Sequence, residues 1–323
     1  MAGEATSQTD DTIEITSVAV VGAGTMGRQI ASLAAASGRQ VTLYDADPAA
    51  LDQAIPRLRQ EMVELPTAPQ YRHHPHRLPS PADPEAITSR IRLARTLTEA
   101  VAGVDLVIEA VREDLAVKRA VFTELDRLAP GAILATNSSS LSSSLLVPVV
   151  SDPGRLLNLH FFAPVGVRPM LEIMGSGQTR PEIIAAAERF GRSLGLVTAV
   201  VQGDSKGFII NRVWRAVKRE ALRVVDEGHA APADVDRLWM LFFGTSVGPF
   251  GIMDMVGLDV VADIEASYAA VATDPEDRAS PLLHRLVTEG TLGEKTGDGF
   301  YHYPNPAYLR PDWLGGADDP APD

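Results

Sequence analysis

The run Val18-Ala19-Val20-Val21-Gly22-Ala23-Gly24-Thr25-Met26-Gly27 decides the fold. Four apolar residues, three of them β-branched, stop at a glycine and read as a short buried strand ending in a tight turn. Beyond the turn, Met26, Ile30, Leu33 and Ala34 recur on one face of a helix predicted over Met26 to Ser37, with Gly38 as its terminator. Gly22, Gly24 and Gly27 therefore stand between strand and helix in G-x-G-x-x-G spacing. The first permits the turn, the second lets the backbone approach a pyrophosphate, and the third allows close helix packing. Thr25 and Met26 fill the gap between the last two glycines and belong to the same cofactor-binding loop. The helix N-terminus offers its unpaired N–H groups to phosphate. A second strand, Gln40 to Asp45, closes the unit, and Asp45 lies 18 residues past Gly27. A carboxylate there accepts hydrogen bonds from an adenosine ribose and repels a 2′-phosphate, so the cofactor is expected to be NAD rather than NADP. Arg28 and Arg39 are near enough in sequence to bear on that preference.

Downstream, Asp47 and Pro48 read as the cap and first residue of a helix reaching about Leu65, which Pro56 should kink or shorten. Pro66 to Pro84 carries six prolines and three histidines without apolar periodicity and reads as a loop or broken helical arm. His73, His74 and His76 lack a matching carboxylate or Cys cluster, so a solvated loop explains them better than a metal site. Strand-like and helix-like runs then alternate: Arg90 to Ala94, Leu97 to Ala102, Asp105 to Ala110, Asp114 to Ala129 and Ala132 to Thr136. That alternation is the mark of a parallel sheet covered by helices. Strands at Leu156 to Phe162 and Leu171 to Met174, a helix at Pro181 to Leu194 and a strand at Val197 to Gln202 continue it. Past Asp204 only helices are predicted, over Phe208 to Glu227, Pro232 to Leu241 and Val256 to Val271. The expected architecture is α/β, a Rossmann-type dinucleotide-binding domain over 15–203 followed by a smaller all-α C-terminal domain over 204–323. Residues 1–14 read as a polar, frayed tail without a signal-peptide pattern.

Composition limits the function classes. At 323 residues, 45% hydrophobic and 22% charged, the chain suits two globular domains. A net charge of -13 argues against a nucleic-acid partner, whose affinity would come from Lys and Arg on phosphates. With no cysteine there are no disulfides or thiolate chemistry, which fits a reducing compartment, the cytoplasm being the simplest. The uncharged stretch Gly131 to Ser151 is too rich in Ser, Thr and Asn for a membrane span, and none is expected.

Two residues in the later strands are anomalous. His160 is the only one of seven histidines inside a strand-like run, Leu156-Leu157-Asn158-Leu159-His160-Phe161-Phe162, where it is either a satisfied core residue or a functional one. Glu172 interrupts Met170-Leu171-Glu172-Ile173-Met174, and a carboxylate there is costly unless paired. A His–Glu pair resolves both anomalies and provides a base that titrates near neutrality.

At this point the chain resembles the 3-hydroxyacyl-CoA dehydrogenase family over nearly its whole length. The segments that carry the resemblance are Val18 to Gly27, D-L-V-I-E-A-V at Asp105 to Val111, A-T-N-S-S-S-L at Ala135 to Leu141 and H-F-F-A-P at His160 to Pro164. They continue with G-F-I-I-N-R at Gly207 to Arg212, G-P-F-G-I-M-D-M-V-G-L-D at Gly248 to Asp259, and L-G-E-K-T-G-D-G-F-Y at Leu292 to Tyr301. The resemblance implies His160 as the catalytic base, Glu172 as its orienting carboxylate, and Ser139 and Asn211 as hydrogen-bonding groups at the reacting oxygen. It adds Glu109 and Asn137 to the cofactor site and an acyl thioester, with CoA the expected carrier, as substrate. It also implies a homodimer formed largely through the C-terminal domain, and Trp239 to Phe243 are either part of that apolar surface or monomer core.

Two positions depart from the family pattern. Ala163 stands where the family usually has Asn, and Lys206 replaces the proline that usually precedes G-F-I. The arm that in the family helps hold CoA is here rich in proline, with Arg57, Arg59, Arg72 and Arg77 as its basic residues; Arg57 and Arg59 are the candidate substrate contacts. These departures bear on the substrate more than on the redox chemistry and leave room for an acyl-carrier-protein thioester. A dehydrogenase of a free hydroxy acid, clasped by an Arg such as Arg168, is a second alternative, and an NAD-binding protein without turnover is an alternative from another class.

Overall fold

The computed structural model describes residues 12–65, 78, 83–270 and 280–316. The chain divides into two compact units, Met1–Ile209 and Ile210–Asp323. Most of the tail and of the proline-rich arm, with Arg72, His73, His74, His76 and Arg77, lies outside the described residues.

In the first unit, eight strands form one sheet: β1 (Ser17–Val21), β2 (Gln40–Tyr44), β3 (Ile91–Leu93), β4 (Leu106–Glu109), β5 (Ile133–Thr136), β6 (Leu156–Phe161), β7 (Met170–Gly175) and β8 (Val197–Val201). Their order is β3-β2-β1-β4-β5-β6-β7-β8, and its first six strands have the arrangement of a dinucleotide-binding sheet. The helices between them are α1 (Thr25–Ala36), α2 (Pro48–Asp52), α3 (Ala54–Glu64), α4 (Pro84–Thr88), α5 (Leu97–Val101), α6 (Leu115–Leu128) and α7 (Pro181–Ser193). Both faces of the sheet are covered, as the continuous apolar strands require. Val18 and Val20 of β1 join Ile30 of α1 and Phe190 of α7 in one core, while Ala19 and Val21 join Phe122 and Leu125 of α6 in the other.

The structure departs from the sequence reading in three places. The helix expected from Asp47 to Leu65 breaks at Gln53 into α2 and α3. Pro56 then falls in the first turn of α3, where N–H groups have no intrahelical partner, and is tolerated without a kink. Second, the sheet is mixed: β6 and β7 pair antiparallel, whereas β7 and β8 pair parallel. Phe162 to Pro169 holds no helix, so this link is a hairpin rather than a crossover. The antiparallel register sets His160 directly opposite Glu172.

The third departure is in the second unit, built from α8 (Ile210–Asp226), α9 (Pro232–Phe243), α10 (Pro249–Val256), α11 (Leu258–Ala269) and α12 (Pro281–Thr288) among the described residues. The helix expected from Val256 to Val271 is α11, and neither α10, which precedes it and ends at Gly257, nor α12, capped by Ser280, was anticipated. Phe250, Met253, Leu258, Val261 and Trp313 form its core. Two buried carboxylates sit beside them. Asp236 of α9 accepts hydrogen bonds from the amides of Phe250 (2.8 Å) and Gly251 (2.9 Å) at the start of α10 and from the Tyr301 hydroxyl (2.9 Å). Asp254 accepts from the amides of Phe300 and Tyr301, both at 2.9 Å, and from the Tyr303 hydroxyl at 3.2 Å. Burial pushes both carboxyls up to about 6 against the pull of these donors. No helix among the described residues is long and apolar enough to cross a membrane.

Candidate active site

The predicted cofactor residues lie at the ends of neighbouring parallel strands, along the carboxyl edge where such sheets bind ligands. Gly22 follows β1 with φ 112°, and a Cβ there would meet the carbonyl oxygen of Ala110 at 2.5 Å. At Gly27 a Cβ would meet the Gly22 oxygen at 1.8 Å, so the helix packs on the turn only because no side chain intervenes. Gly24 is different: nothing lies within 4 Å of its Cβ position, and it precedes α1 without a side-chain cap. Open ground before an uncapped helix N-terminus, where Thr25 and Met26 begin α1, fits a diphosphate. Asp45 is oriented by two backbone amides, those of Ala23 (2.6 Å) and Asp47 (2.8 Å), one on each oxygen. Each oxygen retains a lone pair for a ribose hydroxyl.

The two arginines that bore on cofactor choice are both committed elsewhere. Arg28 is buried, donates to the Ala23 carbonyl at 2.9 Å and pairs with Glu61 of α3. Arg39 donates to Ile15 O (2.9 Å), Ser37 Oγ (2.6 Å) and Ser193 Oγ (2.7 Å) and stacks on Phe190. Neither supplies counter-charge for a 2′-phosphate, and the residues present fit NAD.

Glu109 does not reach a ligand surface. It is fully buried at the end of β4, where it receives Lys118 Nζ at 2.8 and 3.0 Å, Thr136 Oγ1 at 2.7 Å and the Val111 amide at 2.7 Å. The carboxylate that meets the loop after β5 is Glu113, which the sequence reading missed. Its Oε1 accepts from the Ser138 and Ser140 hydroxyls and the Ser139 and Ser140 amides, and its Oε2 lies 3.2 Å from Lys118 Nζ. Partial burial pushes the Glu113 carboxyl up, but the Ser138 hydroxyl, the Lys118 charge and Ser140 outweigh it and hold the group below the usual carboxylate range. Asn158 of β6 holds the same loop from the other side, accepting from the Ser143 amide (2.6 Å) and donating to the Leu141 carbonyl (3.1 Å). Ser139 is thus exposed on a loop fixed at both flanks. Asn137, buried, accepts from the Phe161 amide at 3.0 Å and ties β5's end to β6.

His160 lies on β6, one residue from its end and 3% exposed. Its Nδ1 is 2.9 Å from Glu172 Oε2, and Glu172 Oε1 accepts from the Ile209 amide at 3.1 Å. The pairing directs Nδ1 inward and leaves Nε2 as the nitrogen that Glu172 does not engage. Phe162 and Phe208 both lie against the imidazole, their ring centroids 4.2 and 4.8 Å away. Phe208 has a left-handed backbone, φ 55°, kept by reciprocal bonds with Ser205 at 2.9 Å. Such a conformation costs about 1–3 kcal/mol in a non-glycine residue and is found where function fixes a side chain. Phe208 lies in the G-F-I-I-N-R segment, but nothing in that pattern marked it as a partner of His160. Ala163 is exposed on the loop just beyond Phe162, and Lys206 precedes the turn that carries Phe208.

The remaining candidates are spread more widely. Asn211 belongs to the second unit, in the first turn of α8. Arg57 and Arg59 are both exposed on α3; Arg59 donates to Thr88 Oγ1 at 3.2 and 3.3 Å and Arg57 has no side-chain partner among the described residues.

A buried His–Glu pair beside a glycine-turn dinucleotide site is an arrangement for moving a proton and a hydride at one carbon. Residues 17–205 match the family model of the 3-hydroxyacyl-CoA dehydrogenase NAD-binding domain, and residues 207–303 match that family's C-terminal domain. The chain belongs to the 3-hydroxyacyl-CoA dehydrogenase family. It is an NAD-dependent oxidoreductase of the type that acts on CH–OH groups. Among its relatives, a probable 3-hydroxyacyl-CoA dehydrogenase of Caenorhabditis elegans is 37% identical over 292 residues, 90% of this chain and 96% of that one. A probable 3-hydroxybutyryl-CoA dehydrogenase of Bacillus subtilis is 34% identical over 296 residues, 90% and 98% of the two chains. The crystal structure of the (S)-3-hydroxybutyryl-CoA dehydrogenase of Ralstonia eutropha is 31% identical, covers 90% of this chain and 100% of that one, and superposes with a TM-score of 0.79. Family membership and the Ala163 departure meet at one place, the loop beside His160.

Proposed function

We propose that this enzyme interconverts a 3-hydroxyacyl-CoA and its 3-oxoacyl form, with His160 as the general base and acid. The observation that carries the reading is the 2.9 Å bond between His160 Nδ1 and Glu172. It fixes the imidazole orientation and stabilises the imidazolium that forms when Nε2 takes the hydroxyl proton. Bound NAD supplies the hydride acceptor at the carbon that loses this proton. Ser139 and Asn211 donate to the oxygen as it passes between alkoxide and ketone, each worth roughly 10²-fold in rate by analogy with oxyanion-hole donors. In the reverse direction protonated His160 returns the proton to the oxygen. Asp45 and the Gly22 to Gly27 turn bind the dinucleotide, and Arg57 and Arg59 are the basic residues of α3 placed in the CoA contact. The working form is a homodimer built through the C-terminal unit.

The test is NADH oxidation with acetoacetyl-CoA, an acyl-carrier thioester of the same acyl group, and free acetoacetate. Turnover highest on acetoacetyl-CoA is expected. A preference for the carrier thioester or the free acid would replace the CoA assignment, and NADH binding without turnover on any of them would overturn the enzymatic reading.

A further inference from the structure

The hairpin loop between the strand of His160 and the strand of Glu172 carries a charge that the chemistry above does not use. Arg168 Nη1 donates to the Ala163 carbonyl at 2.6 Å, one residue beyond the phenylalanine whose ring lies against His160. It has no carboxylate partner among the described residues. A guanidinium has five N–H donors, and the one side-chain bond it makes among the described residues is to Ala163.

A purely structural role, tying the loop together, is already filled by other bonds. Val167 N and Arg168 N both donate to the Pro164 carbonyl, at 3.0 and 2.9 Å. Val165 N donates to Gln29 Oε1 (3.0 Å), Leu78 N to the Gly166 carbonyl (2.8 Å) and Val197 N to the Pro169 carbonyl (2.8 Å). Pro169 further restricts the Arg168 backbone to extended conformations. The loop is therefore a rigid mount, and the guanidinium is its least committed group. On a chain of net charge -13, a positive group with no carboxylate partner among the described residues, at the edge of the catalytic hairpin, is suited to a fork-like bond with a planar anion.

We propose that Arg168 is a specificity-determining residue that binds a carboxylate carried by the hydroxyacyl substrate. The inference rests on the His160 dehydrogenase chemistry proposed above, independently of the CoA assignment, and names its substrate class. The carboxylate has two possible sources, the far end of a thioester-linked acyl chain or the carboxyl group of a free hydroxy acid.

Kinetics of the full-length enzyme and its Arg168→Met and Arg168→Lys variants separate these. The substrates are 3-oxohexanoyl-CoA, 3-oxoadipyl-CoA, equal in chain length but ending in a carboxylate, and free 3-oxohexanoate. The wild type is expected to favour one carboxylate-bearing substrate over 3-oxohexanoyl-CoA. Arg168→Met should cut that kcat/KM ratio at least about tenfold, mainly through KM, as loss of a charge-assisted hydrogen bond does. Arg168→Lys should restore part of it. Preference for 3-oxoadipyl-CoA identifies the acyl terminus, and preference for 3-oxohexanoate identifies the free acid. A ratio unchanged by Arg168→Met, with all substrates affected alike, overturns the assignment of Arg168 alone. No turnover of any substrate overturns the activity on which it rests.

Discussion

A carboxylate in an apolar strand is the most informative residue type in this chain, and two of them took different paths. Glu172 is costly in its strand unless a partner meets it, and His160 does so across the hairpin at 2.9 Å. Glu109 finds its partner in Lys118, wholly inside the first unit. Glu172 was visible as an anomaly and Glu109 entered only through the family resemblance; for neither does the sequence say which partner arrives. His160 carried its own signal, the one histidine in a strand. Lys118 stood among ordinary helix residues, and Glu113 carried no signal because its serine partners are 25 to 27 residues away. At this scale Asp45 makes a prediction of its own. With Arg28 and Arg39 committed, rejection of a 2′-phosphate falls to the Asp45 charge. Asp45→Ser should lower kcat/KM for NAD at least about tenfold and shrink the preference over NADP by a similar factor, from the loss of charge-assisted bonds to ribose. An NAD to NADP ratio unchanged in the variant would remove Asp45 from the discrimination.

The elements of the second unit are fastened by Asp236 and Asp254, and this gives the unit a pH dependence. Both carboxyls titrate at about 6 in the fold, raised from an ordinary 3.8, with the Asp236 charge adding to the burial of Asp254. Between those values the folded state binds more protons than the unfolded chain, so stability rises as pH falls from 7 towards 5 and is lost as pH rises through 6. Each carboxyl contributes on the order of 1 kcal/mol over that interval. Hydrogen exchange at the Phe250, Gly251, Phe300 and Tyr301 amides, corrected for intrinsic rate, should be slowed on the order of tenfold at pH 5 relative to pH 7. Faster corrected exchange at pH 5 would contradict it. Glu113 runs the other way: its lowered carboxyl adds stability that is lost only as pH falls below the usual carboxylate range. At the element scale the first strand-turn-helix-strand was legible because period, glycine spacing and terminator agree on it. The β6 and β7 pairing was not, since strand direction depends on what the connection does in space. α10 was missed because its eight residues are almost wholly apolar and show no polar face to set a helical period. α12 was missed between two stretches without apolar periodicity.

For the molecule as a whole, α/β followed by all-α was readable from where strand signals stop. What a single chain leaves exposed was not. Leu238, Leu241, Phe242 and Phe243 of α9 are 67, 57, 83 and 57% exposed. A run of large apolar side chains in water marks an association surface. Sedimentation velocity should show a dimer at micromolar concentrations, weakened by Phe242→Asp; a monomer across the accessible range would contradict the homodimer. The central claim, that His160 carries the proton while the dinucleotide site works independently of it, has a direct test. NADH oxidation with acetoacetyl-CoA is compared in the wild type and His160→Gln, with the NADH dissociation constant measured in both. A fall in kcat of at least about 10²-fold with NADH affinity unchanged is the predicted result; a variant that keeps its turnover would show that the base lies elsewhere.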